Sequence, residues 1–211
     1  MDRVVAQTKY SRKQHKEFYM FHLFHRTGTV IFVGVLSLIM LILAMSNTIN
    51  KDFSVKANMS AAIFSWIMFA ISLSFTPIMI ITRINNVIKN ETEERKKSTD
   101  KIEVTKMKFS RSNNIIEGKS VFGWNDIEML CETDKYFYIY LTNENGIFIV
   151  KDDIIEGSVE LFRKMALANL RKDKKGRPLY KRYGQVKAEY DAIKRQEKLK
   201  KKQEKKNDKW L

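Results

Sequence analysis

The chain has 211 residues, 44% of them apolar and 30% charged, with a formal net charge of +15. That length allows one or two small units, and the single cysteine, Cys131, excludes an internal disulfide or a cysteine-based zinc cage. Residues 29–45 and 59–81 hold no charge while the remainder holds all of it, the partition expected of a lipid-embedded part joined to a water-exposed one.

Residues 1–28 read as a cytoplasmic N-terminal and interfacial segment. Phe18, Tyr19, Phe21 and Phe24 stand among His22 and His25, a mixture that anchors a helix at headgroup level. The two histidines could share a helical face as metal ligands, but no third ligand lies nearby and no metal is expected. The run 29–45 is about 17 residues, roughly 25 Å of helix, and predicts a first transmembrane helix. The charged stretch before it is too long for a cleaved signal, and a second apolar run comes after it. Residues 46–58 make a short loop carrying only Lys51 and Lys56, and 59–81 predict a second transmembrane helix. Arg3, Lys9, Arg12, Lys13, Lys16 and Arg26 precede the first span, and Arg83, Lys89, Arg95, Lys96 and Lys97 come after the second. Both termini are therefore expected in the cytoplasm, with the loop outside. Pro77 removes a helical hydrogen bond and predicts a kink; Ser65, Ser72, Ser74 and Thr76 suit back-bonding or helix contact. Neither span contains the ionisable residues that transport and proton relays need.

Residues 82–99 continue as a polar helical connector, in which Asn90-Glu91-Thr92 is a sequon, inert on the cytoplasmic side. From residue 100 the period changes to two. KIEVTKMKF, SVFGW and the run 127–131 predict short strands. Tyr136, Tyr138 and Tyr140 face one side of a further strand and Phe137, Ile139 and Leu141 the other. Asn143-Glu144-Asn145-Gly146 predicts the hairpin turn into IFIVK. Residues 158–170 turn helical, with Ser158 as N-cap and Val159, Phe162, Met165, Ala166 and Leu170 on one apolar face. The fold class is thus α+β: a transmembrane hairpin, then a small antiparallel β domain over 100–170 closed by a helix. Tyr136, Tyr138 and Tyr140, facing outward, are the candidate partner surface. Asp126, Glu128, Glu132 and Asp134 read as solvent-facing residues and turn formers, and Cys131 as a buried thiol.

Three stretches, Gly123-Trp124-Asn125-Asp126-Ile127, Glu132-Thr133-Asp134-Lys135-Tyr136-Phe137-Tyr138-Ile139-Tyr140 and Ile147-Phe148-Ile149-Val150-Lys151, resemble the YcxB-like family of small bacterial membrane proteins. The resemblance is sharpest over 121–151, and the order of parts agrees over 9–170. It implies two spans and then a soluble domain similar to bacterial pleckstrin-homology folds, in which a C-terminal helix plugs one end of the strand barrel. Trp124 and the tyrosine strand would then be core and scaffold. It implies an architecture and no reaction.

The basic tail, 171–211, lies outside the resemblance. Residues 171–182 read as a linker broken by Gly176 and Pro178, and residues 183–211 as partly helical or disordered. Tyr183, Val186, Tyr190 and Ile193 recur at helical spacing. Tyr183, Tyr190, Lys198, Lys200, Lys201, Lys202, Lys205 and Lys206 are the candidate tail contacts. Anionic lipid headgroups, a protein partner or second copy, and nucleic acid such as ribosomal RNA are the partners weighed. The aromatic and glycine pattern of an RNA-binding module is missing. No phosphate-binding glycine loop, G-x-S-x-G, H-E-x-x-H or cysteine–histidine pairing is present, so neither enzyme activity nor a cofactor is expected. The expected function is a membrane-anchored, non-enzymatic interaction protein presenting a pleckstrin-homology-like domain at the cytoplasmic face. Self-protection against a membrane-active peptide or toxin is one form of it, by analogy of fold. The alternative is a membrane tether that holds ribosomes or other nucleic acid through the tail.

Overall fold

The computed structural model describes residues 2–26, 28–49, 51–90, 92–115, 117–141 and 146–207. The fold is α+β and divides into two compact units, Ser11–Lys96 and Met1–Tyr10 with Lys97–Leu211.

The second unit is built on β1 (Arg3–Lys9), β2 (Thr99–Thr105), β3 (Lys108–Asn113), β4 (Lys119–Gly123), β5 (Ile127–Glu132), β6 (Tyr136–Leu141), β7 (Gly146–Val150), β8 (Ile154–Glu156) and β9 (Tyr180–Arg182). One sheet runs β4-β3-β2-β1-β8 and the other β7-β6-β5-β9. The strand β1 corrects the sequence reading of residues 1–28 as one interfacial segment. It pairs antiparallel with β2 from Arg3↔Thr105 to Lys9↔Thr99, and the Tyr10 N–H donates to the Ser98 carbonyl at 2.9 Å. Val4, Val5 and Ala6 are each 1% exposed, so the strand is core. The whole helical unit is therefore an insertion in the turn of a β-hairpin. Closure entropy grows only logarithmically with loop length, which makes such an insertion tolerable.

The ladder between β6 and β7 runs from Tyr136↔Val150 to Tyr140↔Gly146, as the hairpin reading requires; Asn143, Glu144 and Asn145 lie outside the described residues. Phe109, Trp124, Phe137 and Phe162 form the aromatic centre of the core. Trp124 meets Phe109 edge-on at 4.5 Å and donates its indole N–H to the Thr105 carbonyl at 3.1 Å, which satisfies its polar handle. The helix α5, later in this unit (Val159–Asn169), starts where expected: the Ser158 hydroxyl accepts from the Leu161 N–H at 3.1 Å. Phe162, Met165 and Ala166 are buried on its inner face, while Asn169 turns its amide to the Met165 carbonyl at 2.8 Å.

Four helices make the inserted unit: α1 (Arg12–His25), α2 (Thr29–Ser46), α3 (Lys56–Lys89) and α4 (Glu93–Lys96); the remaining helix after α5 is α6 (Gly184–Asn207). Among the described residues one helix, α3, is long and apolar enough to cross a membrane, and it continues through Pro77. The α1 and α2 helices pass the same test as a pair bent by 57°. Beside a small buried apolar cluster of Leu23, Ile80, Ile84 and Ile88, α2 and α3 turn large apolar side chains outward. Ile31 and Phe32 are 69% exposed, Phe64 65% and Ile78 62%, whereas hydrogen bonds lie between the helices. The Ser37 and Ser72 hydroxyls meet at 2.8 Å, Asn47 donates to Ser65 at 2.9 Å, and the Trp66 indole donates to Thr48 at 3.0 Å. That arrangement suits helices packed in an apolar solvent. His25 stacks on Phe21 with ring centres 4.3 Å apart, and among the described residues no group of His, Cys, Asp and Glu could hold a metal ion.

Gly157, between β8 and α5, lies directly against the N-terminal strand. Its φ is +83°, and a Cβ there would stand 2.6 Å from the Arg3 carbonyl oxygen, backbone that cannot give way. Gly157→Ala is expected to lower stability by about 2 kcal/mol or more, from left-handed strain together with that contact. Thermal unfolding of the purified variant measures it, and an unchanged midpoint would mean that β1 is not seated as described.

Candidate functional site

At the end of β5 stands Glu132, with no exposed surface at all. Burying a carboxylate is costly unless it is paired and hydrogen-bonded, and this one is surrounded. Arg163 on α5 reaches Oε1 through Nε at 2.8 Å and Nη2 at 2.7 Å. Lys151, just after β7, reaches the same oxygen at 2.7 Å. The Tyr180 hydroxyl on β9 donates to Oε2 at 2.6 Å, and Arg182 Nε stands 3.9 Å from it. Burial alone pushes the carboxyl up, but the hydrogen bonds from Arg163, Lys151 and Tyr180 outweigh it and hold the group below its ordinary 4.5. The bond to Glu132 in turn raises Arg163. Burial, and then the carboxylate it faces, pushes the Tyr180 hydroxyl well above its ordinary 10.0.

This centre fixes the start of the tail. Leu130 donates its N–H to the Leu179 carbonyl at 3.0 Å and Tyr183 donates to the Glu132 carbonyl at 2.8 Å, so β9 lies parallel to β5 with Leu130 opposite Tyr180. Upstream, Lys172 bridges to Pro178, and the Asp173 carboxylate closes the turn on the Arg177 N–H at 2.9 Å and its guanidinium at 2.8 Å. Residues 171–182 are thus part of the domain and not a linker, which moves its boundary beyond 170. Glycine and proline there mark a turn between two paired segments.

The root of α6 is equally specific. Gly184 takes φ +62° with the Asp134 carboxylate 2.8 Å from where a Cβ would be, and that carboxylate accepts the Val186 N–H at 3.1 Å. An acid from a different part of the sheet therefore caps the helix N-terminus. The Arg182 guanidinium lies over the Tyr180 ring at 4.7 Å and the Tyr190 ring at 4.0 Å.

Tyr136, Tyr138 and Tyr140 are 8%, 3% and 1% exposed, so the expected outward tyrosine surface is not there. The strand carrying them is interior to its sheet. Tyr136 stacks on Tyr138 at 5.5 Å and meets Phe148 edge-on at 6.1 Å. On the same face Tyr138 is paired with Cys131; burial, with a smaller contribution from the neighbouring Cys131 thiol, pushes the Tyr183 hydroxyl up to about 12. Tail residues thus help cover a face that the alternation alone leaves open.

The candidate tail contacts divide. Tyr183 is half-buried, Tyr190 is 42% exposed, and Ile193 and Leu199 are 57% and 60% exposed. Lys198 and Lys200 are exposed. Lys201, Lys202, Lys205 and Lys206 lie on the α6 backbone, and their side chains fall outside the described part. Sequence reasoning misses Glu132 because its partners lie 19, 31 and 48 residues away. The one local signal is its phase, since it alternates with Leu130 on the core side of the strand.

These features define an α+β domain with an apolar helical unit inserted after its first strand and a basic helix rooted on a buried carboxylate. Residues 112–166 match the family model described as YcxB-like protein, a stretch that includes the region where the sequence resemblance is sharpest. The match takes in β4 to α5 and leaves out β1, the apolar helices, β9 and α6. Comparison with curated proteins finds no match, and comparison with solved structures finds none.

Glu132→Gln preserves shape but leaves Lys151 and Arg163 without their counter-charge, and is expected to lose about 3 kcal/mol in chemical denaturation. Protease should then cut within 171–183 first, and a variant as stable and as resistant as the parent would refute the role given to Glu132. Two groups set the pH dependence. A depressed carboxyl contributes stability that is present above its ordinary 4.5 and lost as pH falls through its lower folded value. A raised phenol contributes stability that is present below 10.0 and lost as pH climbs above it. Unfolding midpoints measured across pH should show both limbs in the parent and a weakened acid limb in the glutamine variant.

Proposed function

We propose that the chain is a membrane-anchored, non-enzymatic interaction protein, with α2 and the apolar part of α3 as a two-span hairpin and the β unit, a pleckstrin-homology-like domain, at the cytoplasmic face. One observation carries most of this reading. Lys9 and Thr99 are directly paired neighbours, so the chain enters and leaves the helical unit at adjacent points on one domain. A folded domain cannot straddle a bilayer, so an inserted unit must cross an even number of times. If α3 crosses, α2 must return the chain, and the outward apolar side chains of both helices support it. The excess of lysine and arginine flanking the pair puts the domain and both termini inside. The domain and tail would then engage a protein partner, a second copy or lipid headgroups at the inner leaflet.

With Cys131 replaced by serine, Ser54→Cys in the loop between the spans should react with a membrane-impermeant maleimide on intact cells, and Lys119→Cys on β4 only after lysis. Release of the protein by alkaline carbonate, or protection of the loop position, would end the anchored reading.

A tether for ribosomes or other nucleic acid is the second reading, favoured by the order of α6: an exposed, lysine-rich helix held by Asp134 and Arg182. Removal of residues after Ile193 keeps that root and deletes most of the lysines. If the tether reading holds, ribosomal RNA co-purifies with the full chain only, and its recovery falls by orders of magnitude between about 50 and 200 mM salt. A protein partner recovered equally with both forms at high salt argues for the domain instead.

A further inference from the structure

Two hollows on the inserted unit meet at Arg83. One, of about 170 Å3, lies between α1 and α3, where Tyr19, His22 and Arg83 surround a floor of Leu23, Ile84 and Val87. The other is an open groove of about 460 Å3 along α3, apolar at Phe75, Ile78 and Met79 and polar from Thr82 and Arg83 to Asn86 and Asn90. No carboxylate lines either hollow, and Arg83 is exposed with no acidic partner among the described residues. A permanent cation with hydroxyl and amide donors beside it, at the head of an apolar trough, has the polarity profile of one kind of ligand: an amphiphile with an anionic head.

We infer that this groove binds an anionic glycerophospholipid, with the phosphate on Arg83 and an acyl chain along Phe75, Ile78 and Met79. The inference rests on the proposed membrane anchoring, in which the apolar run 59–81 ends just before Arg83 and so puts the guanidinium at the headgroup level of the inner leaflet. Arginine is suited to the contact because its planar fork can meet two phosphate oxygens at once. Inorganic phosphate would satisfy Arg83 and leave the apolar trough exposed. A second copy of the chain is the weaker occupant, because a two-fold contact on this face would bring the two Arg83 side chains together.

The full chain, reconstituted in nanodiscs with graded phosphatidylglycerol in phosphatidylcholine and released for native mass spectrometry, reads the retained lipid directly. The parent should retain phosphatidylglycerol over phosphatidylcholine. Arg83→Gln should reduce that retention about tenfold, the effect of losing one charge-assisted contact, and Arg83→Lys should fall between. The tail is identical in all three, so its own attraction for anionic lipid cancels from the comparison. Equal retention by the glutamine variant overturns the site, as does displacement by millimolar inorganic phosphate or a lipid-free dimer that Arg83→Gln dissociates. A chain that enters the bilayer without lipid preference loses only this site, whereas a chain that stays in the aqueous phase removes the membrane reading and the site together.

Discussion

The β unit depends on keeping one negative charge ionised out of water. Glu132 stands at the mouth of the core, where an unpaired carboxylate would be untenable, and its partners come from the segment after β7, from α5 and from β9. Each element supplies a group that no neighbour in sequence could supply. Such a centre adds little net stability compared with an apolar filling of the same volume. What it adds is registry: β9 in any other alignment would leave Tyr180 away from the carboxylate and Glu132 short of a donor. The three-residue strand is too short to specify its own place by backbone bonds alone, and the charge specifies it instead.

From that registry comes the direction of the basic helix. With β9 fixed, Tyr183 is brought near Cys131, Gly184 is brought against Asp134, and Arg182 lies over the rings of Tyr180 and Tyr190. A polybasic segment that starts from a rigid joint presents its charge in a defined orientation, whereas a tethered coil averages over many. Tyr183, between Arg182 and Gly184, also lies by Cys131 on the tyrosine side of the sheet, so the start of the tail is part of the domain's packing.

Local patterning makes much of this legible. The alternation across Tyr136–Leu141, the apolar face of α5, its serine cap and the two charge-free runs are short-range signals, and each corresponds to an element of the structure. Long-range pairing is not legible. The strand Arg3–Lys9 shows no alternation, with Val4, Val5 and Ala6 buried in succession, and its partner comes only after the inserted helices in the chain. Glu132 reads as a turn residue because polar side chains beside Thr133 and Asp134 usually are, and because the cations that justify its burial are distant in sequence. The alternation puts Tyr136, Tyr138 and Tyr140 together on one side of their strand, but Tyr183, which lies by Cys131 on that side, comes from a segment whose pairing with β5 no local pattern shows.

The placement of the helical unit inside the β1–β2 hairpin also sets an order of events during synthesis. The first strand leaves the ribosome early, but its partner is not made until both apolar helices have been translated. Val4, Val5 and Ala6 therefore wait unpaired, an exposed apolar edge, throughout the interval in which the helices are being made. The domain cannot close before the helical unit has been made, so a chain stalled within that unit is left with an open sheet.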